Sequence, residues 1–184
     1  MHVDRNLHVR RSSLTLTMIV LLGIEIVSTV AVSYFVISIF WPMLTGGAGY
    51  TPTPKNVAVE ALEACQLKKE DVFYDLGCGT GGVLVEASKV CDHVKGIEIE
   101  PIRWFISKLR AGRKAEVILG DLFKQDISDA DVVFMFQYTG KINSRIADKI
   151  RAETRRGTRV VSYIHPVENM QLIRSRKEIF VYQV

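Results

Sequence analysis

The chain has 184 residues, enough for one compact domain and little else. Its three cysteines are an odd number without a pairing pattern, and its four histidines are scattered, so neither a disulfide framework nor a metal site is expected. The basic residues behind the net charge of +4 form no aromatic-interleaved strip, so a nucleic-acid partner is not expected either.

An almost unbroken apolar run occupies residues 14–41, after a basic arm at residues 1–13, and Glu25 is its only charge. A helix of that length exceeds the roughly 30 Å hydrocarbon core and is longer than the apolar core of a secretory signal. The run therefore predicts a retained, single-pass membrane helix. Two interpretations of Glu25 stay open, a neutral or snorkelling acid in a tilted helix and a contact with a polar partner helix.

A glycine-rich linker at residues 42–49 leads into a domain at residues 50–184. Thr53 is predicted to cap a helix that begins with Pro54 and runs to about Gln66. Strands and helices then alternate, which predicts a mostly parallel, Rossmann-like α/β sheet with helices on both faces. Strands are predicted at 72–76, 93–98, 117–119, 132–136, 159–164 and 179–184, and helices at 83–90, 101–111 and 142–155.

A glycine turn follows the first strand, in the sequence Asp75-Leu-Gly-Cys-Gly-Thr-Gly-Gly82. Its glycines let the backbone turn sharply and let a flat ligand approach closely. About twenty residues later, Glu98 ends the second strand, where an acid accepts hydrogen bonds from ribose hydroxyls. The pair indicates a nucleoside-binding domain.

The glycine spacing alone also fits a dinucleotide, so the acids decide between ligands. Asp75 suits a cationic ligand end, and Asp121 follows the third strand, where an adenine amino group needs an acceptor. With Glu98, these acids match the ammonium, sulfonium, hydroxyls and amine of S-adenosylmethionine. The alternative is that each acid merely caps a helix or turn.

Five segments of the domain together resemble the small class I protein-lysine methyltransferases of archaea and the related membrane-anchored mitochondrial family that methylates the ATP synthase c subunit. They are Tyr50-x-Pro-Thr-Pro54, Tyr74-Asp-Leu-Gly-Cys-Gly79, Gly96-Ile-Glu-Ile-Glu-Pro101, Gly120-Asp-Leu-Phe123 and Gly157-Thr-Arg-Val-Val-Ser162. The resemblance covers residues 50–166 and implies a class I methyltransferase fold with S-adenosylmethionine as cofactor.

The resemblance also implies the site residues. Cofactor-binding candidates are Asp75, Leu76, Gly77, Gly79, Gly81, Glu98, Ile99, Asp121 and Leu122, and acceptor-channel candidates are Tyr50, Thr53, Pro54, Gln137 and Tyr138. The chain departs from the family at Thr80-Gly-Gly82, where Asp-Gly-Arg is common, and at 137–140, where an apolar-Leu-Pro turn is common. The absence there of an Asn/Asp-Pro-Pro-Tyr turn argues against methylation of glutamine or of adenine N6.

The domain has no length for a lid, so we expect a macromolecular acceptor or one delivered from the membrane. The leading hypothesis is a membrane-anchored protein-lysine methyltransferase whose partners are the lipid bilayer and a protein substrate, including membrane proteins. A lipid or small-molecule methyltransferase and a non-catalytic binding module remain open. The basic clusters, one of them at 103–114, are either solvated or held against anionic lipid.

Two arguments conflict over the membrane orientation. Arg5, Arg10 and Arg11 favour a cytoplasmic N-terminus, which would export the domain away from its cofactor. The need for the cofactor outweighs this bias, so the domain is expected on the cytoplasmic side.

Overall fold

The computed structural model describes residues 3–45, 50–136 and 141–184. Contacts between residues divide the chain into two compact units, Met1–Gly46 and Gly47–Val184.

The first unit is a single helix, α1 (Val3–Thr45). Its segment Leu14–Ile37 has 24 residues with a mean hydropathy of 2.2, and none of it is buried against other parts of the protein. By length and composition this segment can cross a membrane, although a signal sequence near an N-terminus passes the same test.

The second unit is a seven-stranded sheet with helices on both faces, which confirms the predicted fold class. Its strands are β1 (Val72–Leu76), β2 (His93–Glu98), β3 (Glu116–Leu119), β4 (Val132–Met135), β5 (Arg159–Tyr163), β6 (Gln171–Arg176) and β7 (Ile179–Gln183). Its helices are α2 (Lys55–Ala64), α3 (Gly82–Ala87), α4 (Pro101–Ala111) and α5 (Lys141–Glu153), with a 3-10 turn at Leu122–Lys124.

The strands lie in the order β3-β2-β1-β4-β5-β7-β6. Strands β1 to β5 are parallel, whereas β7 pairs antiparallel with both β5 and β6. The chain moves outwards from β1 to β3 and then returns to the other side of β1 with β4. This reversal creates a crevice beyond the carboxyl ends of β1 and β4, where open α/β sheets bind their ligands.

Side chains of the central strands point alternately to the two faces of the sheet, and each face carries an apolar layer. Phe73 of β1 packs on the face covered by α2 and α3, and Tyr74 and Leu76 pack on the face covered by α5. Strand β4 is buried along its whole length, as a central parallel strand requires. The two layers hold the carboxyl ends of β1 and β4 rigidly beside each other.

Helix α4 begins immediately after β2 because Glu100 caps it. The Glu100 carboxylate accepts hydrogen bonds from the backbone amides of Ile102 (3.1 Å) and Arg103 (2.8 Å), and Pro101 occupies the first turn. The sequence-predicted bounds of α4, β1 and β2 match the structure.

Other predicted elements need correction. Pro54, not Thr53, is the residue before the first turn of α2, and no side chain caps that helix. The helix ends at Ala64 instead of Gln66, which adopts a left-handed φ of 54°. Helix α3 ends at Ala87 instead of Val90. Strand β6 was not predicted because all six of its residues are exposed and it pairs only at the sheet edge.

Candidate functional site

The ends of β1 and β2 bring the first two acids to one edge of the sheet. In the parallel register, Asp75 lies opposite Gly96 and Leu76 opposite Ile97, so Glu98 comes just beyond the end of β1. Glu98 in turn lies opposite Leu119, two residues before Asp121. The three predicted acids therefore share the carboxyl edge of β1, β2 and β3.

The glycine turn is fixed to β2 by backbone hydrogen bonds. The amides of Gly77 and Cys78 both donate to the carbonyl oxygen of Ile97, at 2.9 and 3.0 Å. Gly77, Gly79 and Gly81 have φ values of 83°, 55° and 77°, which lie in the left-handed region that favours glycine. The turn can take this course only because those positions lack side chains.

Asp75 is a buried acid in β1, one residue before the end of the strand. Its side chain is 3% exposed, and no hydrogen bond to its carboxyl group is found among the described residues. Burial, followed by the negative charge of Glu98, raises the pKa of Asp75 to about 8. A cationic ligand at this position would stabilise the ionised carboxylate.

Glu98 is buried and connects the turn to α4. One carboxylate oxygen accepts from the Gly79 amide at 2.8 Å, and the other accepts from the Glu100 amide at 2.9 Å. Arg103 Nε lies 3.5 Å from Glu98 Oε1 and 3.7 Å from Glu100 Oε2. A carboxylate has about four acceptor sites, so Glu98 retains capacity for hydroxyl groups. Ile99, next in the chain, is partly exposed.

Asp121 caps the 3-10 turn that follows β3. One of its carboxylate oxygens accepts from the Phe123 amide at 2.9 Å, and both Asp121 and Leu122 are half-buried. The alternative that these acids merely cap helices or turns thus accounts for some of the hydrogen bonds that Asp121 and Glu98 accept. It does not account for the buried carboxyl group of Asp75.

Tyr50 lies over the glycine turn. Its hydroxyl group is 2.8 Å from Thr80 Oγ1, and its ring is 5.1 Å from the guanidinium carbon of Arg103. Further along the segment, the carbonyl oxygen of Thr53 is 3.9 Å from where a Cβ on Gly82 would be. Pro54 follows as the residue that precedes α2. The structure therefore places the segment 50–54 against the turn.

An arginine from α4 supports Thr80, at the position where the family commonly has an acid. Arg110 Nη1 donates to the Thr80 carbonyl oxygen at 2.9 Å and to Thr80 Oγ1 at 3.0 Å. Ser107 of the same helix packs on Gly81, where a Cβ would lie 2.5 Å from its hydroxyl oxygen. Sequence analysis missed both residues. Their spacing from Arg103, four and seven positions along one helix face, was the available signal.

The other side of the crevice is only partly described. Gln137 and Tyr138, the remaining acceptor-channel candidates, lie outside the described residues. Just after them, Asn143 in the first turn of α5 is buried, and neither its amide nitrogen nor its amide oxygen has a partner among the described residues. Sequence analysis also missed this residue, a polar side chain on the stripe that continues with Ile146, Ala147 and Ile150.

Comparison with known proteins decides the family. The ANTKMT methyltransferase domain family matches residues 75–174, more than half of the chain. The chain belongs to this family. It is an S-adenosylmethionine-dependent methyltransferase, which confirms the predicted enzyme class and cofactor.

Two further proteins are similar to this ANTKMT-family methyltransferase. A protein of Saccharolobus islandicus named protein-lysine N-methyltransferase is 37% identical over 121 residues, covering 62% of this chain and 74% of that protein. The crystal structure of an RNA methyltransferase from Salinibacter ruber, in complex with S-adenosyl-L-homocysteine, is 30% identical with a TM-score of 0.66. That match covers 72% of this chain and 92% of the other.

More distant structures share only the fold. Precorrin 8w decarboxylase from Methanobacterium thermoautotrophicum is 19% identical with a TM-score of 0.59, covering 73% of this chain and 92% of that one. The class I methyltransferase fold of this ANTKMT-family domain is therefore common to proteins of different chemistry.

The residues at the sheet edge fit S-adenosylmethionine. The unpartnered carboxyl group of Asp75 offers a buried counter-charge for a ligand with ammonium and sulfonium groups. Gly77, Gly79 and Gly81 carry no side chains, which lets a ligand approach the backbone of the turn closely. When bound, the cofactor supplies an electrophilic methyl group.

Proposed function

We propose that this methyltransferase transfers methyl groups to lysine side chains of a protein while anchored to a membrane. The observation that carries the cofactor half of the proposal is the buried, unpartnered Asp75 next to the glycine turn. The name of the Saccharolobus islandicus relative supports lysine as the acceptor.

The proposed cofactor-binding roles are those that the family resemblance implies for residues at this sheet edge. Asp75, with Leu76, Gly77, Gly79 and Gly81 around it, holds the methionine part of the cofactor. Glu98 and Ile99 bind the ribose side, and Asp121 with the backbone of Leu122 binds the adenine. Arg103 balances the charge of Glu98, since its Nε lies 3.5 Å from the carboxylate.

The acceptor enters past the segment that begins with Tyr50. An acceptor lysine must lose its proton before it attacks, and a desolvated aromatic channel lowers the pKa of the amine. The ring of Tyr50 supplies such a wall beside the turn, together with Thr53 and Pro54. Gln137 and Tyr138 remain proposed for the opposite wall. The chain's contribution is to position the amine in line with the methyl group and to exclude water.

The membrane part of the proposal rests on the apolar segment Leu14–Ile37. We propose a basic arm at 1–13, a single-pass anchor at 14–41, a linker at 42–49 and a methyltransferase domain at 50–184 on the cytoplasmic side. An enzyme tethered in this way meets membrane proteins at a raised effective concentration. The proposed partners are therefore the lipid bilayer and a membrane protein as substrate.

One experiment separates this function from its rivals. The purified full chain is incubated with methyl-labelled S-adenosylmethionine and with membranes and soluble extract from the source cells. The proposal expects label in protein, resistant to nuclease and to lipid extraction. Label in the lipid extract supports the small-molecule alternative, and label in RNA supports the activity named for the Salinibacter ruber structure. Failure to bind the cofactor supports a non-catalytic module.

A further inference from the structure

Helix α4 carries an exposed apolar stripe on its outer side. Ile102, Phe105, Ile106 and Leu109 are 40%, 53%, 37% and 66% exposed, and they follow the spacing i, i+3, i+4 and i+7. Residues with this spacing share one face of a helix. The opposite face, with Ser107 and Ala111, is buried in the domain. Four large apolar side chains of α4 are therefore exposed to a substantial extent among the described residues of this domain.

The same helix and the turn that follows it are basic. Residues 101–115 contain five basic residues, namely Arg103, Lys108, Arg110, Arg113 and Lys114, and no acid. Arg103 and Arg110 are directed to Glu98 and Thr80. Lys108 in α4 and Arg113 and Lys114 just beyond its end are exposed. An apolar stripe flanked by lysine and arginine is typical of helices that lie in a membrane interface.

We propose that α4 docks the methyltransferase domain onto an anionic bilayer, with the Ile102/Phe105/Ile106/Leu109 stripe between the lipid chains and the basic residues at the headgroups. The positive charge of this region favours anionic lipid as the partner of the stripe. A second copy of the chain docked through the same face would bring the two basic sets together, whereas anionic lipid neutralises them. The apolar stripe offers nothing to an RNA backbone, which needs charge alone.

Docking through α4 also sets the direction in which the site opens. The helix starts directly after Glu98, at the carboxyl edge of the sheet, and returns along the strands. When α4 lies in the membrane plane, the strands run roughly along the membrane and the carboxyl edge opens sideways, next to the headgroups. The site then faces segments that leave the bilayer close to its surface. The inference extends the proposed membrane association and specifies the class of acceptor as juxtamembrane.

The test uses the full chain in lipid nanodiscs. Leu109→Cys is labelled with a polarity-sensitive fluorophore, and Leu172→Cys, which replaces an exposed leucine on β6, is the matched control. Cys65, Cys78 and Cys91 are buried, and the labelled wild-type chain corrects for any reaction with them. Discs contain phosphatidylcholine alone or with roughly one-third phosphatidylserine, and brominated lipids act as quenchers.

We expect the probe at position 109 to shift to shorter wavelength and to be quenched in anionic discs, with both effects reduced several-fold in phosphatidylcholine alone. The control at position 172 should change in neither. Arg113→Glu/Lys114→Glu should abolish the lipid dependence at position 109. Equal signals at both positions, or a signal that follows protein concentration instead of lipid charge, would overturn the proposal.

The outcome is separable from the proposed anchor. Extraction of the full chain from membranes at alkaline pH would refute the anchor without deciding how α4 behaves. In that case the same labelled variants are mixed with vesicles of the two compositions. Quenching at position 109 on anionic vesicles then supports docking, and its absence overturns it.

Discussion

The ring of Tyr50 covers Gly79 so closely that a methyl group on this glycine would lie 2.5 Å from ring atom Cε2. Gly79 also has a φ of 55°, which disfavours any side chain at this position. Together they make the middle of the glycine turn a sterically restricted point of the site.

Gly79→Ala should therefore weaken the affinity for the cofactor by at least about tenfold. It should also lower the free energy of unfolding by about 1–2 kcal/mol, because an alanine at this position strains the backbone and the ring of Tyr50 must move. Calorimetry and urea unfolding measure the two effects. Adding Tyr50→Ala to Gly79→Ala should recover only the part of the stability that the ring contact costs. Full recovery would show that the φ value imposes no strain.

Tyr50 should matter more for turnover than for cofactor affinity, because we propose it for the wall of the acceptor channel. Tyr50→Ala is expected to reduce kcat by about tenfold or more, whereas Tyr50→Phe, which keeps the ring and loses the 2.8 Å contact with Thr80, should retain most of it. Steady-state kinetics and cofactor titration separate the two quantities. Wild-type methylation by Tyr50→Ala would remove the residue from the site.

The raised pKa of Asp75 predicts that cofactor binding releases a proton. At a pH below its pKa of about 8, the free carboxyl group of Asp75 is mostly protonated, whereas a bound cation favours the ionised form. We therefore expect affinity to rise with pH up to about 8, with proton release visible by calorimetry in buffers of different ionisation enthalpy. Asp75→Asn should bind more weakly and release no proton.

The same group affects stability in the absence of cofactor. Between the ordinary aspartate pKa of 3.8 and about 8, the folded state binds the proton that the unfolded state has lost. The free energy of unfolding therefore falls as pH rises through this window, with a slope of at most about 1.4 kcal/mol per pH unit from this residue. Urea unfolding at several pH values should show a shallower decline in Asp75→Asn. An identical pH dependence in both proteins would contradict the burial of a protonated Asp75.

Arg110 should support cofactor binding through Thr80, since both of its contacts end on that residue. Arg110→Ala is expected to weaken cofactor binding several-fold with little change in stability, because the side chain is exposed. Arg113→Ala, an exposed arginine beyond the end of α4, is the matched control in detergent solution. Equal affinities of the two variants would show that Thr80 does not need this contact.

Replacement of Asn143 by an apolar residue should increase the free energy of unfolding. Its buried amide has no partner among the described residues, so Asn143→Leu should raise the free energy of unfolding by about 1 kcal/mol. Asn56→Leu on the exposed side of α2 provides the control in urea unfolding. A loss of stability at position 143 would mean that the amide is satisfied in solution.

The sequence predicts most accurately the elements whose residues are buried along their length or whose ends carry a clear capping signal. Strand β1 and the four apolar residues of β4 are buried on both faces, and α4 starts with a strong capping acid followed by proline. Strand β6 escaped prediction because its six exposed residues show no apolar pattern, and its pairing with β7 depends on the fold.

The positions of the candidate site residues were predictable where they belong to a local motif. Asp75 and Glu98 follow from the glycine turn and its spacing to the next strand. Arg110, thirty positions from Thr80, reaches the turn only because α4 packs beside α3. Asn143 is likewise buried by the packing of α5, although its own side chain is polar.

The most direct measurement is the chemical identity of the methylated atom. The purified chain and labelled S-adenosylmethionine are incubated with membranes, the labelled protein is hydrolysed to amino acids, and the products are separated and identified by mass spectrometry. Our account predicts methylated lysine with the wild-type chain and its loss with Asp75→Asn. Label only on another amino acid, on lipid or on RNA would contradict it.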